Sequence, residues 1–163
     1  MHAFRLALAT PLLLVAAPVA SAEQAVDPLR FFEGRTEVDG TVKVMFHKAY
    51  KTHSDGKGVI GSDGVLTLVQ EVRDEGKPAH ERRWRVRSAG SGNFSAMMSE
   101  AIGPVTIERV GTESYRFRYK MKGKLNVDQV LTPLPGGRSA SNVGKVRRMG
   151  VVVATTTGII RKV

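Results

Sequence analysis

Turn-forming residues recur at short intervals after residue 40, and this spacing most constrains what the chain can fold into. Between the turns lie ten short segments rich in β-branched, aromatic and alternating residues. These segments cover residues 41–46, 57–61, 65–72, 81–87, 93–99, 105–110, 113–121, 124–131, 138–147 and 151–160. Strands that repeat every ~8–12 residues are typical of antiparallel sandwiches and barrels. No segment keeps a helical period over three turns. The sequence therefore predicts an all-β fold, and we favour an antiparallel up-and-down β-barrel of about 8–10 strands.

Asp-Gly pairs supply two of the predicted turns. Asp55-Gly56 and Asp63-Gly64 are dipeptides that tolerate the positive φ angles of tight hairpins. Residues 56–61 also match the G-x-G-x-x-G pattern of dinucleotide sites. Such a site requires a helix directly after the glycines, whereas another predicted strand follows here. We therefore interpret these glycines as hairpin residues.

Two segments, residues 83–87 and 115–121, alternate between apolar or aromatic and basic side chains. Successive strand residues point to opposite faces, so each segment has one buried face and one basic outer face. The inward set predicts a ligand pocket lined by Trp84, Tyr115, Phe117 and Tyr119, with Met97 or Met98 as an adaptable filler. The outward set predicts contact with an anionic surface through Arg83, Arg85, Arg87, Arg116, Arg118 and Lys120.

Gln70 and Glu71 are polar neighbours in an otherwise β-prone segment, and only one of them can face inward. A buried carboxylate needs a partner. We assign Glu71 and Arg82 to the pocket, as a pair that would orient a polar headgroup. Arg83 is the alternative partner, and an ion pair that only fixes the strand register is the alternative role.

The first 22 residues have the pattern of a secretory signal peptide. Arg5 supplies a positive start, residues 6–18 are largely apolar, and residues 20–22 (Ala-Ser-Ala) form a small-x-small cleavage site. We expect cleavage after Ala22, export by a Sec-type route, and a soluble periplasmic or secreted domain of residues 23–163.

The mature chain then opens with a helix signal. Asp27 and Pro28 fit the N-cap and the first position of a short helix. Phe31 and Phe32 on this helix are placed to cover the mouth of a barrel.

The formal net charge of +10 and the absence of cysteine narrow the partners and the chemistry. An exported basic protein meets anionic lipid headgroups or acidic polymers, so we expect no nucleic-acid partner. Without cysteine there is no disulfide, thiolate zinc site or cysteine nucleophile. His47, His53 and His80 lack the spacing of metal ligands, and no G-x-S-x-G motif is present. We assign no catalytic residue, metal site or cofactor.

Short motifs are scattered along nearly the whole mature chain: residues 29–34 (LRFFEG), residues 66–68 leading to Glu71, residues 82–84 (RRW), Asn142 before residues 148–150 (RMG), and the strand at 151–157. They resemble the L-x-F-F-x-G opening, acidic strand residue, R-x-W motif, N-x5-K-F-G ending and closing strand of a family of proteobacterial envelope proteins, domain of unknown function 3833. The resemblance implies an envelope β-barrel similar in outline to lipocalin-type calycins, and it brings no catalytic residues.

The chain departs from that family at two places. Many relatives are lipoproteins, whereas this chain has no cysteine at the cleavage site. Residues 128–131 (DQVL) replace the family's D-D-W-M segment and lack its tryptophan. Where that tryptophan lines a pocket in relatives, ligand choice would differ here.

The leading functional hypothesis is an exported β-barrel that binds or carries a hydrophobic or amphipathic molecule, such as a fatty acid or a lipid, at an anionic membrane surface. One alternative is a filled barrel without a ligand that serves envelope interaction or assembly. A third hypothesis is an enzyme that acts on a lipid or acyl substrate. A cavity of a few hundred Å³ would distinguish a ligand site from a filled interior.

Overall fold

A computed structural model describes residues 27–163, and the predicted signal peptide lies outside the described residues. Within this range the chain forms one short helix and ten strands. Their bounds are α1 Pro28–Phe32, β1 Gly34–Val44, β2 Tyr50–Ile60, β3 Leu66–Asp74, β4 His80–Gly90, β5 Asn93–Met98, β6 Val105–Val110, β7 Ser114–Met121, β8 Leu125–Pro133, β9 Ser139–Arg148 and β10 Val151–Lys162. The described helix is too short to cross a membrane.

Each strand pairs antiparallel with the next, and the sheet closes on itself. The closing pair is β1 with β10, in register from Thr36 opposite Lys162 to Val44 opposite Ala154. This confirms the prediction of an all-β, antiparallel, up-and-down barrel of 8–10 strands. Closure leaves no free sheet edge, so the backbone polar groups of both terminal strands are paired.

Helix α1 forms where the sequence places it. The Asp27 side chain accepts a hydrogen bond from the Leu29 backbone N–H at 2.9 Å, and Pro28 occupies the first turn. Phe31 is buried in the barrel core. A Cβ atom at Gly58 would lie 1.9 Å from the Phe32 carbonyl oxygen, so α1 can pack this closely on β2 only because residue 58 is glycine.

The first two strands are longer than the sequence predicts, because two Asp-Gly pairs lie inside strands instead of between them. Asp39-Gly40 is in the middle of β1, and the predicted hairpin at Asp55-Gly56 is wrong, since both residues belong to β2. Here glycine removes side-chain volume from the interior and does not make a turn. Gly64, in contrast, does have a positive φ of 73°.

An up-and-down barrel has two distinct ends. We call the end covered by α1 the helix end; it also carries the β2–β3, β4–β5, β6–β7 and β8–β9 connections. We call the other the open end; it carries the β1–β2, β3–β4, β5–β6, β7–β8 and β9–β10 connections. No helix within residues 27–163 covers the open end.

Candidate functional site: a cavity between two unlike walls

The barrel interior is lined by two walls that differ in side-chain size. Strands β3 to β8 form the large-residue wall, which supplies Leu66, Leu68, Trp84, Ile107 and Phe117 among others. Strands β9, β10, β1 and β2 form the small-residue wall. Its interior positions include Gly40, Ser54, Gly56, Asn142, Gly144, Thr156 and Gly158.

A cavity of about 320 Å³ lies between the walls. It runs from Pro28 and Phe32 at the helix end to Tyr50, Asp74 and Met121 at the open end. The space exists because the small-residue wall does not reach across to the opposite side chains. A volume of roughly 300–1,000 Å³ is typical of small-molecule sites.

The glycines of the small-residue wall are held in place by close contacts. A Cβ at Gly40 would lie 2.7 Å from the Thr157 carbonyl oxygen, and one at Gly56 would lie 2.7 Å from Thr36 Oγ1. Gly144 similarly faces Thr156. A larger residue at Gly40 would displace the backbone of β10, and a larger residue at Gly56 or Gly144 would displace the facing threonine side chain, so close packing keeps these positions small.

Aromatic and amide side chains shape the middle of the cavity. Trp84 stands edge to face against Phe117 and Tyr119, with ring centroids 6.4 and 6.2 Å apart. The Trp84 indole N–H donates to Gln70 Oε1 at 2.9 Å, so the polar end of the indole is satisfied inside the barrel. The Tyr119 hydroxyl donates to Gln129 Oε1 at 3.3 Å. Burial raises the pKa of Tyr119 to about 12, so this phenol is neutral at physiological pH.

Charged residues gather where the cavity meets the open end. Arg82 donates to Glu100 Oε2 at 2.9 Å, and both side chains are largely buried. At the same end, the Lys77 ammonium donates to the Tyr50 hydroxyl at 3.0 Å and lies 3.3 Å from Asp74. The interior is therefore apolar in the middle and charged at this mouth.

Two of the polar groups that line the cavity have an atom without a hydrogen-bond partner among residues 27–163. Arg82 Nε is an unused donor and Asn142 Oδ1 is an unused acceptor. Thr36 Oγ1, next to Gly56, is also buried without a hydrogen-bond partner in this part of the chain. Buried polar atoms are normally hydrogen-bonded, so these atoms mark positions for water or for the polar atoms of a ligand.

Four of the seven residues predicted for the pocket line the cavity: Arg82, Trp84, Phe117 and Tyr119. Tyr115 is buried but packs against Phe94 toward the helix end, with ring centroids 5.9 Å apart, and it belongs to the core.

The predicted pocket positions of Met97 and Glu71 are wrong. Met97 is exposed on the outer face, because strand alternation turns the neighbouring Met98 inward opposite Trp84. Glu71 is also exposed and binds Arg73 at 2.8 Å.

Gln70 and Glu100 are among the lining residues that sequence reasoning missed. Gln70, and not Glu71, is the inward polar residue of β3. It lies two and four residues after Leu68 and Leu66, so strand alternation places all three on the same face, and this was the available signal. Glu100, the partner of Arg82, lies in the β5–β6 connection, where strand alternation gives no direction. It is positioned by that connection, whose Ile102 N–H donates to the Lys120 carbonyl at 2.8 Å.

The six basic residues predicted to contact an anionic surface all lie on outward-facing positions of β4 and β7. Three of them are neutralised locally. Arg83 pairs with Glu81, Arg118 pairs with Glu108, and Arg116 lies 3.4 Å from Asp128. The outer face of these strands is therefore a mixed-charge surface.

A ladder of ion pairs crosses the outside of the small-residue wall and the adjoining β3. It runs from Arg161 on β10 through Asp39, His53 and Asp55 to Arg73 on β3, with contacts of 2.8, 2.8, 3.4 and 2.6 Å. The hydrogen bond with Asp39 raises the pKa of His53, and Asp55 adds to the effect. Residues 27–163 contain no group of three His, Asp or Glu side chains suited to hold a metal ion.

Comparison with known proteins identifies the fold. No family model matches the chain, and no curated protein matches it. The solved structure of the S-type phycobiliprotein lyase CPES from Guillardia theta is similar, with a TM-score of 0.58 over 83% of this chain and 90% of that chain. The two sequences are 7% identical, so the likeness concerns the fold. The barrel is lipocalin-like.

Proposed function

We propose that this protein binds and carries a hydrophobic or amphipathic small molecule, with a fatty acid or lipid-derived compound as the leading ligand class. The observation that carries the proposal is the cavity of about 320 Å³ between the two walls. A barrel that served only in assembly would be more stable with a filled interior, because closely packed side chains gain dispersion energy. An open interior therefore favours the carrier hypothesis over the filled barrel.

The distribution of polarity suggests how such a ligand lies. Leu68, Trp84 and Phe117 offer an apolar surface to a hydrocarbon tail. Arg82 offers a cation with one unused donor near the open end. A carboxylate or a phosphate ester would accept from this guanidinium, sharing it with Glu100. We therefore place the tail of the ligand in the middle of the barrel and its anionic group toward the mouth.

Export to the bacterial envelope belongs to the same proposal. The signal-peptide pattern of residues 1–22 and the resemblance to domain of unknown function 3833 support it. In that compartment an anionic membrane is a source or an acceptor for such a ligand.

Trp84 provides the direct test, because it is the single tryptophan of the chain and lies on the cavity wall. Bromine quenches indole fluorescence only at contact distance. Titration with a fatty acid dibrominated at mid-chain should quench Trp84 in a saturable manner at one ligand per protein, whereas the unbrominated parent should compete the quenching away. Absence of saturable quenching would refute binding of this ligand class.

A matched variant controls for adsorption to the outside of the barrel. Val59 is exposed on the outer face of β2, so W84F combined with V59W moves the reporter from the cavity wall to the exterior. This variant should show no saturable quenching. Equal quenching in both proteins would indicate surface adsorption and count against the cavity.

Native mass spectrometry of detergent-free protein exported to a periplasm should then detect a co-purified ligand of several hundred daltons.

A further inference from the structure

Within residues 27–163, the two most exposed large apolar side chains lie at the open end. Phe46 in the β1–β2 turn is 95% exposed and Met149 in the β9–β10 turn is 86% exposed. Three further exposed apolar residues lie at the same end: Ile102, Val151 and Val152. The helix-end connections contain none of the exposed large hydrophobic residues of the described chain. The exposed apolar residues nearest that end are Val59, next to the last residue of β2, and Val163, which follows β10.

Folding does not require these two side chains at the turn tips. Phe46 and Met149 both have positive φ angles, of 62° and 50°, where asparagine or glycine is more comfortable. The β4–β5 turn at the helix end provides a direct comparison. There Ser91 and Gly92 have φ angles of 52° and 74°, close to the 50° and 83° of Met149 and Gly150. A similar pair of positive φ angles therefore occurs with a small polar residue at one end of the barrel and with methionine at the other.

The two apolar tips lie on neighbouring hairpins. β1 pairs with β10, and the Met45 N–H donates to the Val153 carbonyl at 2.8 Å, which ties the β1–β2 turn to the base of the β9–β10 hairpin. Exposed apolar residues that lie together, away from the core, mark a site of contact with a protein or a membrane.

The charge of the connections also differs between the two ends. The open-end connections carry four lysines, Lys48, Lys77, Lys122 and Lys124, against Glu75 and Glu100. At the helix end, α1 with its flanking residues and the connections carry Arg30 and Arg138 against Asp27, Glu33, Asp63 and Glu113. The connections at the open end therefore carry a net positive charge, whereas those at the helix end carry a net negative charge. Exposed apolar residues together with positive charge suit a membrane surface, where anionic headgroups cover a hydrocarbon layer.

From these observations we infer that the open end docks onto an anionic phospholipid bilayer, with Phe46 and Met149 inserted between the lipids and the loop lysines at the headgroups. In this orientation the cavity mouth at Tyr50, Arg82 and Glu100 faces the membrane, so a ligand could pass between the bilayer and the barrel without crossing water. The purpose of docking rests on the proposed carrier function, whereas the docking itself can be measured independently. The mixed-charge outer face of β4 and β7 is then not the membrane contact.

The test uses vesicles of phosphatidylglycerol and phosphatidylcholine, with pure phosphatidylcholine vesicles for comparison. The F46N/M149N variant suits both positive-φ positions, so it should fold at least as stably as the natural chain. Its partitioning onto anionic vesicles should fall at least tenfold. The V59T/M97T control removes two exposed apolar residues from the barrel wall and should bind within twofold of the natural chain. Unchanged binding of F46N/M149N, or equal binding to neutral vesicles, would overturn the inference.

A second measurement determines which end meets the lipid. In a W84F background, tryptophan at Phe46 should be quenched by brominated phospholipids, whereas tryptophan at the exposed Thr112 of the helix end should not be. Quenching of the Thr112 position alone would reverse the orientation and refute the inference. Quenching of Trp84 by a brominated fatty acid, measured without vesicles, should be the same in F46N/M149N and the natural chain. A loss of vesicle docking therefore remains distinguishable from a loss of ligand binding.

Discussion

The two walls of the barrel are stabilised by different means. The large-residue wall buries aromatic and branched side chains that contact one another, including Trp84 against Phe117. The small-residue wall buries smaller side chains, and its outer face carries the ladder from Arg161 through His53 toward Arg73. The difference teaches that the cavity does not require an unusually wide barrel. It arises because four of the ten strands have glycine or small polar residues at many of their interior positions, between a few larger ones such as Val38 and Ile160.

Truncating one side chain on each wall tests this comparison with the largest effect. Phe117→Ala should destabilise the protein by about 3–5 kcal/mol, because it removes a buried ring from a packed cluster. Thr156→Ala on the opposite wall should cost less than ~1 kcal/mol, since its side chain borders existing space. Urea unfolding followed by circular dichroism measures both. Equal losses would mean that the two walls contribute alike to stability.

A single added methyl group at the helix end should have the next largest effect. In Gly58→Ala the new Cβ meets the Phe32 carbonyl at 1.9 Å, and a backbone atom has little freedom to move aside. We expect a loss of about 2–3 kcal/mol from overpacking and from displacement of α1. Val59→Ala, one residue further and on the outer face, should change stability by less than ~0.5 kcal/mol. A Gly58→Ala protein as stable as the natural chain would show that α1 is not tightly docked.

Filling the space between the walls should separate stability from binding. Thr156→Leu adds volume to the cavity lining, and Thr155→Leu adds the same volume to the exposed outer face of the same strand, away from the cavity. We expect both to change stability by less than ~1.5 kcal/mol. Thr156→Leu should weaken binding of the brominated fatty acid at least tenfold, whereas Thr155→Leu should leave it unchanged. Equal affinities in the two variants would place the ligand outside the cavity.

Local sequence signals predicted the large-residue wall and α1 better than the small-residue wall. Alternation along residues 83–87 and 115–121 directed Trp84 and Phe117 inward, as the structure has them. Gly40 and Gly56 follow aspartates, and Asp-Gly is a strong local turn signal. Their place inside strands depends on pairing with Gly158, Thr52 and other residues of neighbouring strands, which local sequence does not encode. The sequence therefore predicted a pocket inside a barrel, but it did not predict that glycines inside the strands would leave the space for it.

Polar positions in the pocket show the same division. Gln70 could be assigned inward by counting in twos from Leu66, once the strand was accepted as regular. Glu100 could not be found in this way, because it lies in a connection and reaches Arg82 through tertiary contacts. The choice of Glu71 followed from the expectation that a buried carboxylate pairs with an arginine such as Arg82. Arg82 does pair with a carboxylate, but it is that of Glu100 in the β5–β6 connection.

From the ladder of ion pairs outside the small-residue wall we expect the smallest effect, which is a weak dependence of the free energy of unfolding on pH. Because the folded state raises the pKa of His53, its contribution is complete below the unfolded value of about 6.5 and is lost as pH rises through the folded value. The pKa values of Asp39, lowered first by His53, and Asp55, lowered first by Arg73, act in the opposite direction, so their contribution is lost as pH falls below the ordinary range of aspartate. Stability should therefore decrease modestly from pH 6 to pH 8, as measured by urea midpoints. His53→Gln should flatten this slope, whereas His47→Gln, in the exposed β1–β2 turn, should preserve it. A slope that persists in His53→Gln would mean that the pairing of His53 with Asp39 and Asp55 is not the cause of the pH dependence.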